Sequence, residues 1–293
     1  MQVFLFIATL PTLPTMTQHK RTLYISDLDG TLLDGDSRIT LSTARSLNRL
    51  IDNGMLFTIA TARTPATVVE LMQDVKLTMP AILMTGALIY DIATNRYLSV
   101  SSFPHEVSSQ LIEAVADSDL SPMVYYIDHS LLHVAYRHTD DARQCAFMEC
   151  RKGTPYKKYV EVEGSFAAPA KTVMIFFMGE YGKLQQIYDR IASIAGHRSY
   201  LYCDSLMPEQ GYLEIYPAGT SKAEAIKQLA QLVEADEIVV FGDNVNDIPM
   251  FDIAHRSYAP DNALDVVKQR ATQVIASNDK DGVVEFLEQD YHR

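Results

Sequence analysis

The chain has 293 residues, 47% of them apolar and 21% charged, with a formal net charge of −12. That length allows one large domain or two of ordinary size, and the composition is that of a globular protein. The acidic balance argues against nucleic acid or an anionic membrane as the main partner. Three cysteines, Cys145, Cys150 and Cys203, are too few and too scattered for a disulfide framework or a structural zinc site, so reduced thiols in a cytoplasmic protein are the expectation.

Residues 1–18 carry no Asp, Glu, Lys or Arg, and their apolar run Val3–Ile7 is far shorter than a membrane span and lacks the positive flank of a secretory signal. Residues 1–20 are therefore read as a disordered leader or a misassigned start, with Met16 as the alternative first residue. The first structured element is Leu23–Ile25, a short apolar run that reads as a buried strand and leads into Asp27-Leu28-Asp29-Gly30-Thr31. Two carboxylates crowded at a strand end repel each other unless a cation joins them or one takes a proton. Gly30 marks a turn where the backbone can approach a ligand closely.

Thr40 to Asn53 has apolar residues at helical spacing, with Gly54 as the residue beyond the helix end. A second apolar run, Met55–Ala60, leads into Thr61-Ala62-Arg63-Thr64-Pro65, where Thr64 is the expected N-cap and Pro65 the first helical residue. Ala81–Met84 is a third short strand. Strand, helix, strand, helix, strand is the rhythm of a parallel sheet. It returns late in the chain: Ser221–Glu224 has capping-box spacing, Glu237–Phe241 is strongly β-prone, and Gly242-Asp243-Asn244-Val245-Asn246-Asp247 forms a second acidic cluster at a strand end. A short helix near Ile248–Ile253, a strand at Ser257–Ala259, a helix from about Asn262, a strand at Gln273–Ala276 and a last helix around Val283–Leu287 complete this part.

From Ile89 to about Tyr216 the texture changes. Expected strands are Met123–Ile127, Leu131–Tyr136, Thr172–Met178, Tyr200–Cys203 and Tyr212–Ile215, and expected helices are His105–Ala116 and Gly182–Ile194. Without strict alternation this reads as an α+β unit inserted into the parallel one. The expected fold is thus α/β, a Rossmann-like parallel-sheet core (21–86 and 217–293) with an inserted α+β cap domain (87–216). In open parallel sheets ligands bind beyond the carboxyl ends of the strands, which places Asp27, Asp29, Thr61 and Asp243 along one edge.

These residue types form a toolkit for phosphoryl transfer. Asp27 can attack phosphorus and carry it as an aspartyl-phosphate. A hard cation, Mg²⁺ by preference, would be held by Asp27, Asp243 and a backbone carbonyl, which also relieves the carboxylate repulsion. The Thr61 hydroxyl and Lys222 ammonium can stabilise the phosphoryl oxygens, and Asp29 can protonate the leaving alcohol and later activate water. Asp247 either joins the metal site, through water, or braces Lys222 and its loop. Arg63 reads as a helix-start contact. The basic pairs Arg151-Lys152 and Lys157-Lys158 read as a solvated surface rather than a substrate clamp, and His129 and His133 as packing or surface residues.

Together these segments resemble the haloacid dehalogenase-like hydrolase superfamily. Asp27–Thr31 matches its first motif, Thr61 its second, Lys222 its third and Gly242–Asp247 its fourth. The insertion between the second and third resembles the C2B cap of the Cof-type, subclass IIB phosphatases, as do Thr85–Ala87, Leu213–Lys222 and Ser277–Val283. The resemblance implies Asp27, Asp29, Thr61 and Lys222 as catalytic residues. It also implies Thr61, Ala62, Lys222 and Asn246 as phosphate contacts, and Asp27, Asp243, Asp247 and at most the Asp29 backbone around Mg²⁺. The chain departs from the family in having Ala62 for a glycine and Thr85 for an asparagine, which bears on substrate details more than on activity. The implied function is Mg²⁺-dependent hydrolysis of small phosphorylated metabolites such as a sugar phosphate, a nucleotide or a phosphorylated cofactor. Two alternatives share the fold: a phosphomutase, revealed by turnover only with a bisphosphate primer, and a non-catalytic binding protein, revealed by silence on a broad phosphometabolite panel. The sequence leaves the substrate and the oligomeric state open.

Overall fold

The computed structural model of the chain describes residues 20–164, 166–204 and 206–291, so the expected leader lies outside it almost entirely. Five strands, β1 (Thr22–Ser26), β2 (Leu56–Ile59), β12 (Glu237–Phe241), β13 (Arg256–Pro260) and β14 (Gln273–Ile275), form a parallel sheet in the order β14-β13-β12-β1-β2. Both faces are apolar, as a parallel sheet covered by helices requires. Along β1 the alternation sends Leu23 and Ile25 into a cluster with Ile226, Leu229, Val240 and Met250. Tyr24 goes the other way, to Leu47, Leu50, Phe57, Phe241 and Leu287. Helices α1 (Leu41–Asp52) and α9 (Gly282–Asp290) supply the second cluster, and α6 (Lys222–Leu232) and α7 (Ile248–Ile253) the first.

Several local expectations hold. Thr40 caps α1 by accepting from Thr43 N, and Gly54 beyond its end has φ +99°. Others need correction. Thr64 does precede Pro65 at the start of α2 (Pro65–Leu71), yet its hydroxyl makes no capping bond and is buried without a partner. Ser221 accepts from Glu224 N at 3.1 Å, but Glu224 turns to Lys227 at 2.8 Å, so only half the capping box forms. The helix expected from Asn262 is a single turn, α8 (Asp265–Lys268), starting late because Leu264 N is held by Asp243 O at 3.0 Å.

Strand β3 (Ala81–Leu83) joins the parallel sheet through a bridge between Ala60 and Ile82, and pairs antiparallel with the hairpin β4 (Leu88–Asp91) and β5 (Arg96–Val100), which sequence patterning missed. The middle of the chain forms a six-stranded sheet from β6 (Met123–Asp128), β7 (Leu131–Tyr136), β8 (Lys157–Glu161), β9 (Thr172–Glu180), β10 (His197–Cys203) and β11 (Gln210–Pro217), in the order β10-β11-β9-β6-β7-β8. All its pairings are antiparallel except β7–β8. Helices α3 (His105–Ala114) and α5 (Tyr181–Ile191) cover one face over Val124, Ile175, Phe177, Leu213 and Ile215. By the same alternation Tyr125, Met174, Phe176, Tyr212 and Glu214 point to the opposite face. Helix α4 (Ala142–Glu149), with only Gln144 and Met148 buried, has no apolar stripe to announce it.

Candidate active site

Sheet register brings the expected residues together. Ser26 pairs with Phe241 on one side and Ile59 on the other, so β1, β2 and β12 end level. The ladder runs one step further, with Asp27 N donating to Phe241 O at 2.9 Å and Ala60 N to Ser26 O at 2.8 Å. Asp27, Thr61 and Asp243 therefore emerge side by side. After Asp27 the chain enters a tight turn in which Gly30 adopts φ +73°, and a Cβ there would lie 2.4 Å from Asp243 Oδ2. Glycine is thus required twice, by conformation and by space. Gly86 does the same for the third motif: at φ +95° its missing Cβ admits the carbonyl of Ser221 and docks the first turn of α6.

Lys222 opens α6 and is buried, not a solvated first-turn lysine. A helix N-terminus is an unfavourable place for a cation. Two carboxylates outweigh it, Asp247 Oδ1 at 2.7 Å and Asp27 Oδ1 at 2.9 Å, and their charges hold the ammonium protonated, well above the usual lysine range, against the cost of burial. Asp247 is fully buried and committed: its other oxygen accepts from Asp243 N at 3.0 Å and Asn244 N at 3.1 Å. Burial, then the charge of Asp247, pushes Asp27 up to about 8 although Lys222 pulls it down. Burial pushes Asp243 up to about 6 against a hydrogen bond from Thr31 Oγ1 at 2.8 Å.

Asp27, Asp243 and Asp247 each offer an oxygen within 4.8 Å of the others. Ionised together, three carboxylates against one ammonium would leave two negative charges, in a setting where isolated charge is costly. A hard divalent cation with oxygen ligands fits that set.

The Asp29 side chain is not part of this cluster. It is half exposed and turned to Arg63, whose Nε and Nη2 reach its two oxygens at 2.8 and 2.5 Å, so Arg63 does more than start a helix. Thr61 is buried, its N–H bonded to Ile82 O and its hydroxyl accepting from Arg63 N at 3.2 Å. Ala62 is exposed at the mouth and keeps a negative φ, so alanine in place of glycine carries no backbone penalty. Asn246 stands exposed on the loop of Asp243 and Asp247.

Some contributors escaped the motif reading. Asn262 Nδ2 donates to Gly30 O at 2.7 Å, Asn278 Nδ2 to Leu33 O at 2.8 Å, and Asn278 N to Asn262 Oδ1 at 3.0 Å, a chain of amides that ties the first motif's turn to the last. Only the Ser277–Val283 match hinted at it. Beside the cluster a cavity of about 400 Å³ opens between Ala62, Arg63, Thr64 and Thr67 and the uncovered face of the six-stranded sheet. Arg151 and Lys157 line it, and Lys157 is 4% exposed, which corrects their reading as solvated surface.

Comparison with known proteins places the chain in a family. The family model for haloacid dehalogenase-like hydrolases matches residues 24–287. The 5-amino-6-(5-phospho-D-ribitylamino)uracil phosphatase YwtE of Bacillus subtilis is 29% identical over 283 residues, covering 90% of this chain and 96% of its own. The pyridoxal phosphate phosphatase YbhA of Escherichia coli is 28% identical over 266 residues, covering 89% and 95%. A haloacid dehalogenase-like hydrolase from Bacteroides thetaiotaomicron, 22% identical, superposes with a TM-score of 0.75 over 92% of this chain and 100% of that one, a likeness of fold. With the family model spanning nearly the whole described chain, and with the strand-end carboxylates in register, the chain belongs to the haloacid dehalogenase-like hydrolase family.

Proposed function

We propose that the chain is a phosphoric monoester hydrolase that acts on small phosphorylated metabolites through an aspartyl-phosphate on Asp27, with Mg²⁺ as its cofactor. The observation that carries this reading is the convergence of Asp27, Asp243 and the Lys222–Asp247 pair at the ends of parallel strands. Asp27 and Asp243 would hold the cation, with Asp247 bracing the loop behind them because both its oxygens are already engaged. When bound, the cation neutralises phosphate charge and keeps Asp27 ionised.

The Asp27 carboxylate attacks phosphorus as the bond to the leaving oxygen breaks. Lys222, its charge secured by two carboxylates, and the Thr61 hydroxyl take up charge on the phosphoryl oxygens, with the exposed Ala62 N–H and Asn246 beside them. Asp29 gives its proton to the leaving alkoxide and then accepts one from the water that attacks the acyl phosphate. It stands at the cluster's edge with both oxygens on Arg63, so it must leave that ion pair to carry the proton. The six-stranded unit acts as a cap that walls the substrate's remainder, within a division of 21–86 and 217–293 against 87–216. The reading places the protein in the cytoplasm, where the three thiols would stay reduced.

Phosphate release from a panel of metabolite monoesters with Mg²⁺ tests this reading. The panel should include the substrates named for the two relatives, and the reading predicts loss of turnover in Asp27→Asn. Silence across the panel would refute it, and dependence on a bisphosphate primer would redirect it to a mutase.

A further inference from the structure

Among the described residues three cations packed near the sheets lack a carboxylate partner, Lys157, Arg151 and Arg137, and Arg137 lies over Phe166, away from the cavity beside the active site. Lys222 has Asp27 and Asp247, Arg256 has Glu237 and Asp290, and Arg143 has Asp204. Lys157 and Arg151 line the cavity beside the active site, and among the described residues neither pairs with a carboxylate. Lys157 is 4% exposed, its ammonium 5.1 Å from the centre of the Tyr159 ring, and the Tyr159 hydroxyl is itself buried without a partner. The Arg151 guanidinium carbon lies 3.9 Å from the centre of the Phe147 ring, and its Nη1 donates to Phe147 O at 3.0 Å and Cys150 Sγ at 2.9 Å. Burial, then repulsion from Arg151, lowers Lys157 to about 8. The cavity's carboxylate, Glu214, cannot serve them: it accepts from Tyr202 at 2.9 Å and Tyr216 at 3.2 Å on the far strands. In a chain of net charge −12, two unneutralised cations converging on a cavity is an arrangement that needs a reason.

Resting on the phosphatase reading, we propose that Lys157 and Arg151 are specificity-determining residues that bind a second anionic group at the far end of the phosphate ester. The preferred substrates are then monoesters whose leaving alcohol carries its own carboxylate or phosphate. The aromatic wall of Phe147, Phe176 and Tyr212, whose rings are stacked at 5.4 and 6.1 Å, suits a ring or flat linker between the two anions.

The test compares phenyl phosphate, 4-carboxyphenyl phosphate and 1,4-phenylene bisphosphate on the full chain with Mg²⁺. The wild type should favour one or both dianionic-ended esters over phenyl phosphate by about tenfold or more in kcat/KM, the worth of one charge-assisted contact. K157M and R151M should each erase most of that preference and leave phenyl phosphate within about threefold, the expected neutrality of a group that touches only the far end. Which ester gains tells carboxylate from phosphate. Calorimetric binding of benzylphosphonate and 4-carboxybenzylphosphonate reads the same preference without turnover, and circular dichroism reports whether the variants fold. Equal rates on all three esters by the wild type, or a preference that survives both substitutions, overturns the proposal and leaves the phosphatase reading standing. No turnover and no phosphonate binding at all would sink that reading and the proposal with it.

Discussion

The two acids of the first motif, given different roles from the sequence, occupy different electrical environments in the fold. Asp27 is buried, with Lys222 bridging it to Asp247, whereas Asp29 faces out to Arg63. Asp27→Asn should therefore abolish both turnover and the trapped phosphoenzyme. Asp29→Asn should slow formation and breakdown of the phosphoenzyme together by about 10²–10⁴, the usual worth of general acid–base catalysis. Unchanged turnover in Asp29→Asn, measured by rapid quench, would end the division of roles. Lys222 offers a stability test of the same cluster. Replacing it by methionine strands Asp27 and Asp247 without a counter-charge, and removing one partner of a buried pair typically costs about 3 kcal/mol or more. A shift of the urea midpoint to lower concentration, alongside lost turnover, is the expected result; an unmoved midpoint would mean the ion pairs hold nothing together.

At the scale of elements, the segment after β3 carries backbone strain. Met84 and Thr85 have φ +49° and +56°, and Gly86 follows at +95°. This kink lets Thr85 N reach Thr61 O at 3.1 Å and brings Gly86 against the start of α6, so it positions the second and third motifs at once. A β-branched residue at positive φ is strained by roughly 1–3 kcal/mol, whereas asparagine tolerates that region. The family's asparagine at this position therefore has a backbone reason that the motif comparison alone did not supply. Thr85→Asn is expected to stabilise the chain by about 1 kcal/mol, raising Tm by roughly 2 °C. A lowered Tm would show that the Thr85 side chain contributes more than its backbone costs.

For the whole molecule, the cluster links stability, pH and cation binding. Burial raises Asp243 to about 6 and Asp27 to about 8 from an unfolded value of 3.8. An acid raised in this way binds its proton more tightly in the folded chain. Its contribution to stability is thus complete below the unfolded value and is lost as pH climbs through about 6 and then about 8. A divalent cation competes with those protons, so the rise in Tm on adding Mg²⁺ should grow between about pH 5 and about pH 8. A rise that is the same at both ends, or absent, would argue against a site built on Asp27 and Asp243. Among the described residues no helix is long and apolar enough to cross a membrane.

Local pattern was enough for the parallel core. Short apolar runs, helix periodicity and strand-end carboxylates are read from neighbours in sequence, and Asp27, Thr61, Lys222 and Asp243 could be named before any coordinate because each sits at an element boundary with its own signal. The covered face of the six-stranded sheet was partly legible for the same reason. Other features depended on contacts between residues far apart in the chain. Lys157 looks like a solvated lysine in a charged run, and only the pairing of β7 with β8 buries it. Arg63 looks like a helix-start residue until it pairs with Asp29, and Asn262 and Asn278 look like loop residues until they meet Gly30 and Leu33. Charge and burial are properties of a neighbourhood, and for these residues the neighbourhood exists only once the sheets have assembled.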